Sequence, residues 1–386
     1  MTWDILVRGG EVVDPSQSLH KVSDVAIKDG KIAAIGENLA GAAGRVLDAS
    51  GLLVTPGLID LHAHVYRRHV PISLDPDPLC PAGGVTTILD AGSAGSYNFD
   101  GFRRDVIEQA DTQIFGLVNL SCIGLVAAHF GELMDRRYAD KQGVIDTIRR
   151  NPGVAVGVKI RAGAHIIGGG EQGWANFRDA VAAARESETW LMVHIGESPM
   201  PVPEMLAHME PGDCITHCFK GGGERILDPG GRLFDAVREA ADRGVIFDVG
   251  HGFGSFQWEV VDAALEQGFE PSTISTDLHA KNLHGPVFDM PTTMSKFLML
   301  GVPLDRVVDM STRRPAEALG RGDDLGTLRV GTVADVAAFE RRSGRFRFTD
   351  SYSADRYGDE LLVAAYTIRR GQLVPGGGGL RMRYTD

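Results

Sequence analysis

The stretch Pro56-Gly57-Leu58-Ile59-Asp60-Leu61-His62-Ala63-His64 sets the reading of the chain. It is an apolar run that ends in two histidines one residue apart. A strand presents alternate side chains on one face, so His62 and His64 can point at one ion while Leu61 and Ala63 pack the other way. An H-x-H at a strand end arises often by chance. Its weight here comes from four more potential ligands further along the chain.

Eight short apolar runs occupy the middle of the chain, at 53–64, 85–90, 114–120, 154–160, 190–195, 214–218, 245–249 and 273–277. Several are continuous Val/Ile/Leu segments, as expected of strands buried on both faces. Helical patterns lie between them, for example at 174–185, 233–242 and 258–267. Strands alternating with helices predict a parallel sheet. Eight units over roughly 250 residues match a (β/α)8 TIM barrel; a doubly wound sheet usually has fewer strands and gives no reason to gather potential ligands at so many strand ends. The first fifty residues read as short strands and turns, with a turn at Gly9-Gly10 and a hairpin at Asp29-Gly30. The C-terminal part has the same texture, with apolar segments at 335–339 and 361–368 and a turn at Arg370-Gly371. The expected organisation is α/β: a small β-sandwich-like domain from both termini (1–55 plus 325–386) around a barrel (56–324), with Pro375 to Gly379 as a flexible tail.

In a barrel the chemistry sits at the C-terminal ends of the strands. His62 and His64 end the first run, His194 lies near the end of the fifth, His217 is in the sixth, and Asp277 ends the eighth. Four histidines and an aspartate suit zinc-like ions, with manganese or iron able to use the same ligands. Lys159, in the fourth run, is the odd member. A lysine at a strand end ordinarily forms an ion pair, and an ammonium beside dications is repelled. In this company the amine is expected to add CO₂ and become a carbamate (N6-carboxylysine) that bridges two ions.

Composition narrows the class. The chain has 386 residues, 39 basic and 51 acidic side chains and a net charge of −12, with no basic run, which argues against nucleic-acid partners. No apolar stretch is long enough to span a bilayer, so no membrane partner is expected. The N-terminal residues have no secretory pattern, so a cytoplasmic location is expected. The four cysteines make no disulfide framework; Cys214 and Cys218 flank His217 but read as small core residues.

These residues, Pro56 through His64 with Lys159, His194, His217 and Asp277, resemble the amidohydrolase superfamily over nearly the whole chain. The branch is the one with a carboxylated lysine, shared by dihydroorotases, hydantoinases and isoaspartyl dipeptidases. Gly157-Val158-Lys159-Ile160-Arg161, Asp248-Val249-Gly250-His251-Gly252 and Ser275-Thr276-Asp277 resemble its amidohydrolase/deacetylase, dihydroorotase-like group. The resemblance implies two divalent ions, zinc by default. His62, His64 and Asp277 would hold one, His194 and His217 the other, with the Lys159 carbamate between. It implies hydrolysis of a small acyl ester or amide by a metal-bridging hydroxide, with Asp277 as general base. An O-acetylated 2-hydroxy acid such as acetyl-mandelate, or an N-acyl amino acid, is the expected small-molecule substrate. A cyclic amidase of the dihydroorotase or hydantoinase kind is the alternative, and a non-catalytic scaffold the remote one.

Other residues keep two readings. Arg161 either clamps a substrate carboxylate or forms a loop salt bridge. His251, between Gly250 and Gly252, either meets the substrate or is a satisfied core histidine. His279, Lys281, Asn282 and His284 form a loop that includes substrate contacts or is merely solvated. Tyr97 is a weaker candidate. His20, His69, His129, His165 and His208 are assigned surface or packing roles, and the glycine triplets at 168–170 and 221–223 are read as mobile loops. A homo-oligomer is expected, although no residue pattern marks its interface.

Overall fold

The computed structural model describes residues 2–374, so the tail from Pro375 to Gly379 lies outside the described residues. Two sheets divide the strands. One is built from both ends of the chain: β1 (Thr2–Asp14), β2 (Leu19–Lys28), β3 (Lys31–Gly36), β4 (Ala42–Asp48) and β5 (Leu53–Pro56). The other contains β6 (Leu58–Ala63), β7 (Val85–Asp90), β8 (Gln113–Asn119), β9 (Ala155–Arg161), β10 (Trp190–His194), β11 (Cys214–Thr216) and β12 (Ile246–Asp248) in that order, all parallel. The chain then returns to the first sheet with β13 (Val336–Thr349), β14 (Asp355–Arg369) and β15 (Gln372–Val374).

The termini meet at β5, which pairs parallel with β1 and antiparallel with β13. Ile5, Val7, Val12, Val25, Ile27, Val54, Val336 and Ile368 make the core of this sheet. The Asp29-Gly30 hairpin is present, with Lys28 opposite Lys31. Gly9-Gly10 is not a turn between two strands: β1 runs through it, and the pair only shifts the register against β2. The first apolar run is also two elements, since Leu53–Pro56 belongs to the terminal sheet and Leu58–Ala63 to the barrel.

Within the barrel, neighbours in sequence divide between two cores, as the period of two requires. Leu117, Met192 and Cys214 cluster with Ile59, Leu89, Phe115 and Ala316. Val118, Leu191, Val193 and Ile215 join Phe177, Ala180, Val237 and Ala240 from the helices Gly170–Glu186 and Asp235–Asp242. The eighth run makes no regular strand but closes the barrel. Asp248 bridges Thr273 and Ala63 bridges Leu278, both in parallel sense. The ladder is broken because side chains take its place. Thr276 N donates to Asp60 Oδ1 (3.0 Å), and Asp277 has φ of 49°.

Candidate active site

His62 is the last residue but one of β6 and His64 directly follows the strand, while Asp277 lies at the end of the closing segment. One ligand atom from each lies within 4.8 Å of the others, making a candidate metal site. Asp277 Oδ1 is 3.4 Å from His62 Nε2 and 3.3 Å from His64 Nε2.

The far nitrogen of each ring fixes what these atoms are. His62 Nδ1 lies 2.8 Å from Thr216 Oγ1, and that hydroxyl donates to Asp248 Oδ2 at 2.7 Å. The hydroxyl hydrogen is thus spent, so it must accept from His62 Nδ1–H. The same logic holds for His64, whose Nδ1 is 2.9 Å from Ser93 Oγ, a hydroxyl bonded to Asp90. Both Nε2 atoms then present lone pairs toward a carboxylate oxygen, and acceptors facing one another require a cation. The donor set fits a metal.

His217 Nδ1 is 2.6 Å from Gly250 O, which can only accept, so its Nε2 is also a lone pair. That atom lies 2.8 Å from His194 Nδ1, and the ring centroids of His62 and His217 are 5.0 Å apart. Burial holds His62 and His194 well below the usual imidazole range and His217 at about 3, so these rings are neutral and able to ligate. Burial pushes the Asp277 carboxyl up. The polar imidazoles around it, His64 first and then His279 and His217, outweigh burial and hold the group well below the ordinary carboxylate range. Both Asp277 and His217 (φ 68°) carry left-handed backbone, the kind of strain that concentrates at functional sites.

Lys159 is fully buried and lies opposite Met192, whose Sδ is its hydrogen-bond partner at 3.2 Å. Burial lowers its amine to about 8. An amine that meets no oxygen acceptor among the described residues and has a lowered pKa is a usable nucleophile toward CO₂.

Glycines close the back of the site. A Cβ on Gly250 would lie 2.8 Å from His217 Nδ1, and one on Gly252 would lie 2.6 Å from Asp277 Oδ2. No larger residue fits at either position.

A cavity of about 240 Å³ opens above these groups, and His62, His64, Lys159, His194 and Asp277 reach it. Arg161, His279 and Lys281 line it, with Leu125, Ile72 and Phe253 as its apolar wall. Arg161 Nη1 bonds Glu132 Oε2 at 3.2 Å, so the arginine forms an ion pair and also lines the cavity. His251 is not among the lining residues. It is buried, stacked on Phe256 (4.4 Å), with Nε2 2.6 Å from Lys296 Nζ. Asn282 is spent on backbone, donating to Asp277 O at 2.7 Å and accepting from His279 N at 2.9 Å. Tyr97 is exposed and also outside the lining. His129, assigned a surface or packing role, is exposed and also lines the cavity. The glycines at 221 and 222 are tied down, both N–H groups donating to Tyr352 Oη (3.1 and 3.0 Å).

Sequence reasoning missed the carboxylates behind the ligands. Asp60 accepts from His62 N, Thr276 N and Thr276 Oγ1, and burial raises it to about 7. Asp90 and Asp248 end β7 and β12, the same strand-end position that singled out the ligands. That signal was available for both.

A parallel barrel with a histidine and aspartate cluster at its strand ends that fits a metal ion is the architecture of a metal-dependent hydrolase. The chain belongs to the amidohydrolase family, whose model matches residues 81–360. A deacetylase of Agrobacterium fabrum is 39% identical over 325 residues, covering 84% of this chain and 79% of the relative. A deacetylase of Enterococcus faecalis is 35% identical over 377 residues, covering 97% and 99%. Two solved structures, described as an adenine deaminase and a dihydroorotase, superpose with TM-scores of 0.89 each at 35% and 34% identity. The first match covers 96% of this chain and 99% of that one, the second 97% and 100%. Among the described residues no helix is long and apolar enough to cross a membrane.

Proposed function

We propose that this hydrolase removes a small acyl group, acetyl above all, from an ester or amide whose remaining part carries a carboxylate. The observation that carries this reading is the make-up of the cavity. Its lining combines the candidate ligand cluster with two cations (Arg161 and Lys281) and three apolar residues (Leu125, Ile72 and Phe253). The relatives named deacetylases support the acyl group. An O-acetylated 2-hydroxy acid or an N-acyl amino acid has the matching shape: a short acyl end, a carboxylate and an apolar side group.

His62, His64 and Asp277 would hold one divalent ion and His194 and His217 a second, with Lys159, carboxylated by CO₂ with loss of one proton, between them. Such ions, zinc by default, lower the pKa of water toward neutrality and draw charge from a carbonyl oxygen. The chain's own residues do the rest. Asp277, ionised, accepts a proton from the attacking water and returns it to the leaving alcohol or amine. Arg161, braced by Glu132, keeps further N–H groups for the substrate carboxylate. The relays from Asp248 through Thr216 and from Asp90 through Ser93 keep the imidazole protons on Nδ1.

A panel of acetyl esters, N-acyl amino acids and cyclic ureides, each with and without a carboxylate, tests the reading. Turnover of carboxylate-bearing acyl substrates is expected. Turnover confined to cyclic ureides would replace it with the cyclic amidase reading, to which the neighbour described as a dihydroorotase lends support.

A further inference from the structure

The segment Gly250 to Ser255 follows β12 and ends in the cavity wall at Phe253, Gly254 and Ser255. On the barrel side its backbone is held by the closing segment: Gly250 N donates to Ser275 Oγ, His251 N to Ser275 O and Gly252 N to Thr276 O, at 2.9, 3.1 and 3.0 Å. Its other side is held by residues from outside the barrel strands.

Lys296, in the helix Met290–Met299, is fully buried. Its Nζ lies 2.6 Å from His251 Nε2, 2.7 Å from Thr349 O and 3.0 Å from Pro286 O. His251 Nδ1 is 3.0 Å from Gly252 O, a pure acceptor, so the ring proton sits there and Nε2 is a lone pair. Three acceptors thus face Nζ, one for each N–H of the protonated amine, and burial lowers that amine to about 7. Burying an ammonium is expensive, and an apolar side chain of the same length would fill the space without that cost. What the lysine adds is direction.

The turn between β13 and β14 does the same from the terminal sheet. Ser351 Oγ donates to His251 O and Gly252 O at 3.2 and 3.0 Å. Tyr352 Oη accepts from Gly221 and Gly222 and donates to Gly254 O at 3.3 Å. Asp350 shapes the turn and accepts from Trp258 N at 3.1 Å. A loop of the appended sheet therefore reaches the mouth of the barrel.

We propose that Lys296 and the turn 349–354 are positioning residues for the active cavity. They fix Gly250 to Ser255, and through that segment both the Gly250 carbonyl that orients His217 and the wall that meets the substrate. The effect on substrate rests on the proposed acyl hydrolase function; the effects on the segment and on His217 do not.

Three variants test this. Ser351→Ala and Tyr352→Phe lie at the tip of the turn and leave the core intact; Lys296→Met keeps the stem and removes the charge. Hydrogen exchange, read by mass spectrometry on the metal-free protein, is expected to quicken about five- to tenfold for peptides spanning 249–257 and to stay unchanged in β6 to β10. KM for an acyl substrate should rise more than kcat falls. Lys296→Met should also retain less zinc per chain after dialysis against a chelator buffer. Variants that melt lower but keep wild-type exchange at 249–257, zinc content and KM would reduce these residues to stabilisers of the fold and overturn the proposal. Should Lys296→Met fail to fold, the two tip variants decide by exchange and KM. A wild-type protein that cleaves no acyl substrate would sink the substrate reading, leaving exchange and zinc content to judge the positioning.

Discussion

Replacing Thr216 by valine removes one hydroxyl and keeps the shape of the side chain. That hydroxyl accepts from His62 Nδ1 at 2.8 Å and donates to Asp248 Oδ2 at 2.7 Å, and all three residues are buried. Losing the His62 bond and leaving its N–H unpaired costs about 1–3 kcal/mol. Asp248 keeps Thr273 and Ser275, at 2.6 and 2.7 Å, so its own loss is partial. The imidazole can recover only by tilting or by moving its proton to Nε2, the atom that faces Asp277. Metal affinity should therefore fall about 10–100-fold, which is about 1.4–2.7 kcal/mol. Competition with a chelating dye measures this directly, with Thr216→Ser as the control that keeps the hydroxyl and should stay near wild type. A valine variant that binds zinc as tightly as wild type would refute the relay. So would a serine variant that falls as far as valine, since the methyl group would then be what matters.

Lys159→Ala should lose metal and turnover together, with partial rescue by acetate or propionate; metal content and rate at wild-type levels would remove the bridging carbamate. Asp277→Asn keeps the shape but cannot take a proton, and turnover should drop by about 10²–10⁴; a rate within about tenfold of wild type would assign the base elsewhere. Arg161→Met is expected to raise KM about tenfold or more for carboxylate-bearing substrates and to leave neutral acyl esters alone, which a paired kinetic series would reveal. His20 joins the terminal sheet to the barrel through Glu11 and Asp305 (2.9 and 2.8 Å), and the bond to Glu11 raises its pKa despite partial burial. A raised histidine stabilises fully below its unfolded value of about 6.5, and that stability is lost as pH rises through the folded value. The side chain is 39% exposed, so solvent screening leaves well under about 1 kcal/mol. The melting difference between wild type and His20→Gln should shrink from about pH 6 to about pH 8.5; a difference that grows with pH would contradict the pairing.

What the sequence disclosed was local. A strand-end histidine can be read from Met192-Val193-His194, and seven of the eight apolar runs contain a barrel strand, because hydrophobic periodicity is written in neighbouring residues. The eighth run was legible as an apolar segment but not as an irregular one, since its ladder is interrupted by Asp60, more than two hundred residues away in the chain. His251 and His129 show the same limit from two sides. The glycines flanking His251 left it two readings, substrate contact or satisfied core histidine; they bring the backbone close to His217 and Asp277 while the ring turns toward Lys296. Nothing beside His129 announced a cavity, because Leu125 and Ala128 of its own loop line that cavity together with Arg161 and His279 from other strands' ends. Boundaries failed where two sheets share one apolar run, as at Leu53 to His64, because burial alone does not say which sheet does the burying.

The ligands and the cavity wall are held by different means, and this separates the chemistry from the choice of substrate. His62, Lys159 and His194 sit on hydrogen-bonded strands, and the relays through Thr216 and Ser93 lock the β6 rings to Asp248 and Asp90. Phe253, Gly254, His279 and Lys281 sit on loops held by sparse, long-range bonds, one set of which comes from the terminal sheet. Changes in such loops leave the strands that carry His62, Lys159 and His194 in place. Two solved structures with almost the same backbone as this chain are described as enzymes of different substrates, an adenine deaminase and a dihydroorotase. A shared strand frame with variable loops is a physical basis for that divergence. On the proposed acyl hydrolase reading, the choice of substrate falls to residues such as Arg161, Lys281 and Phe253, which line the cavity.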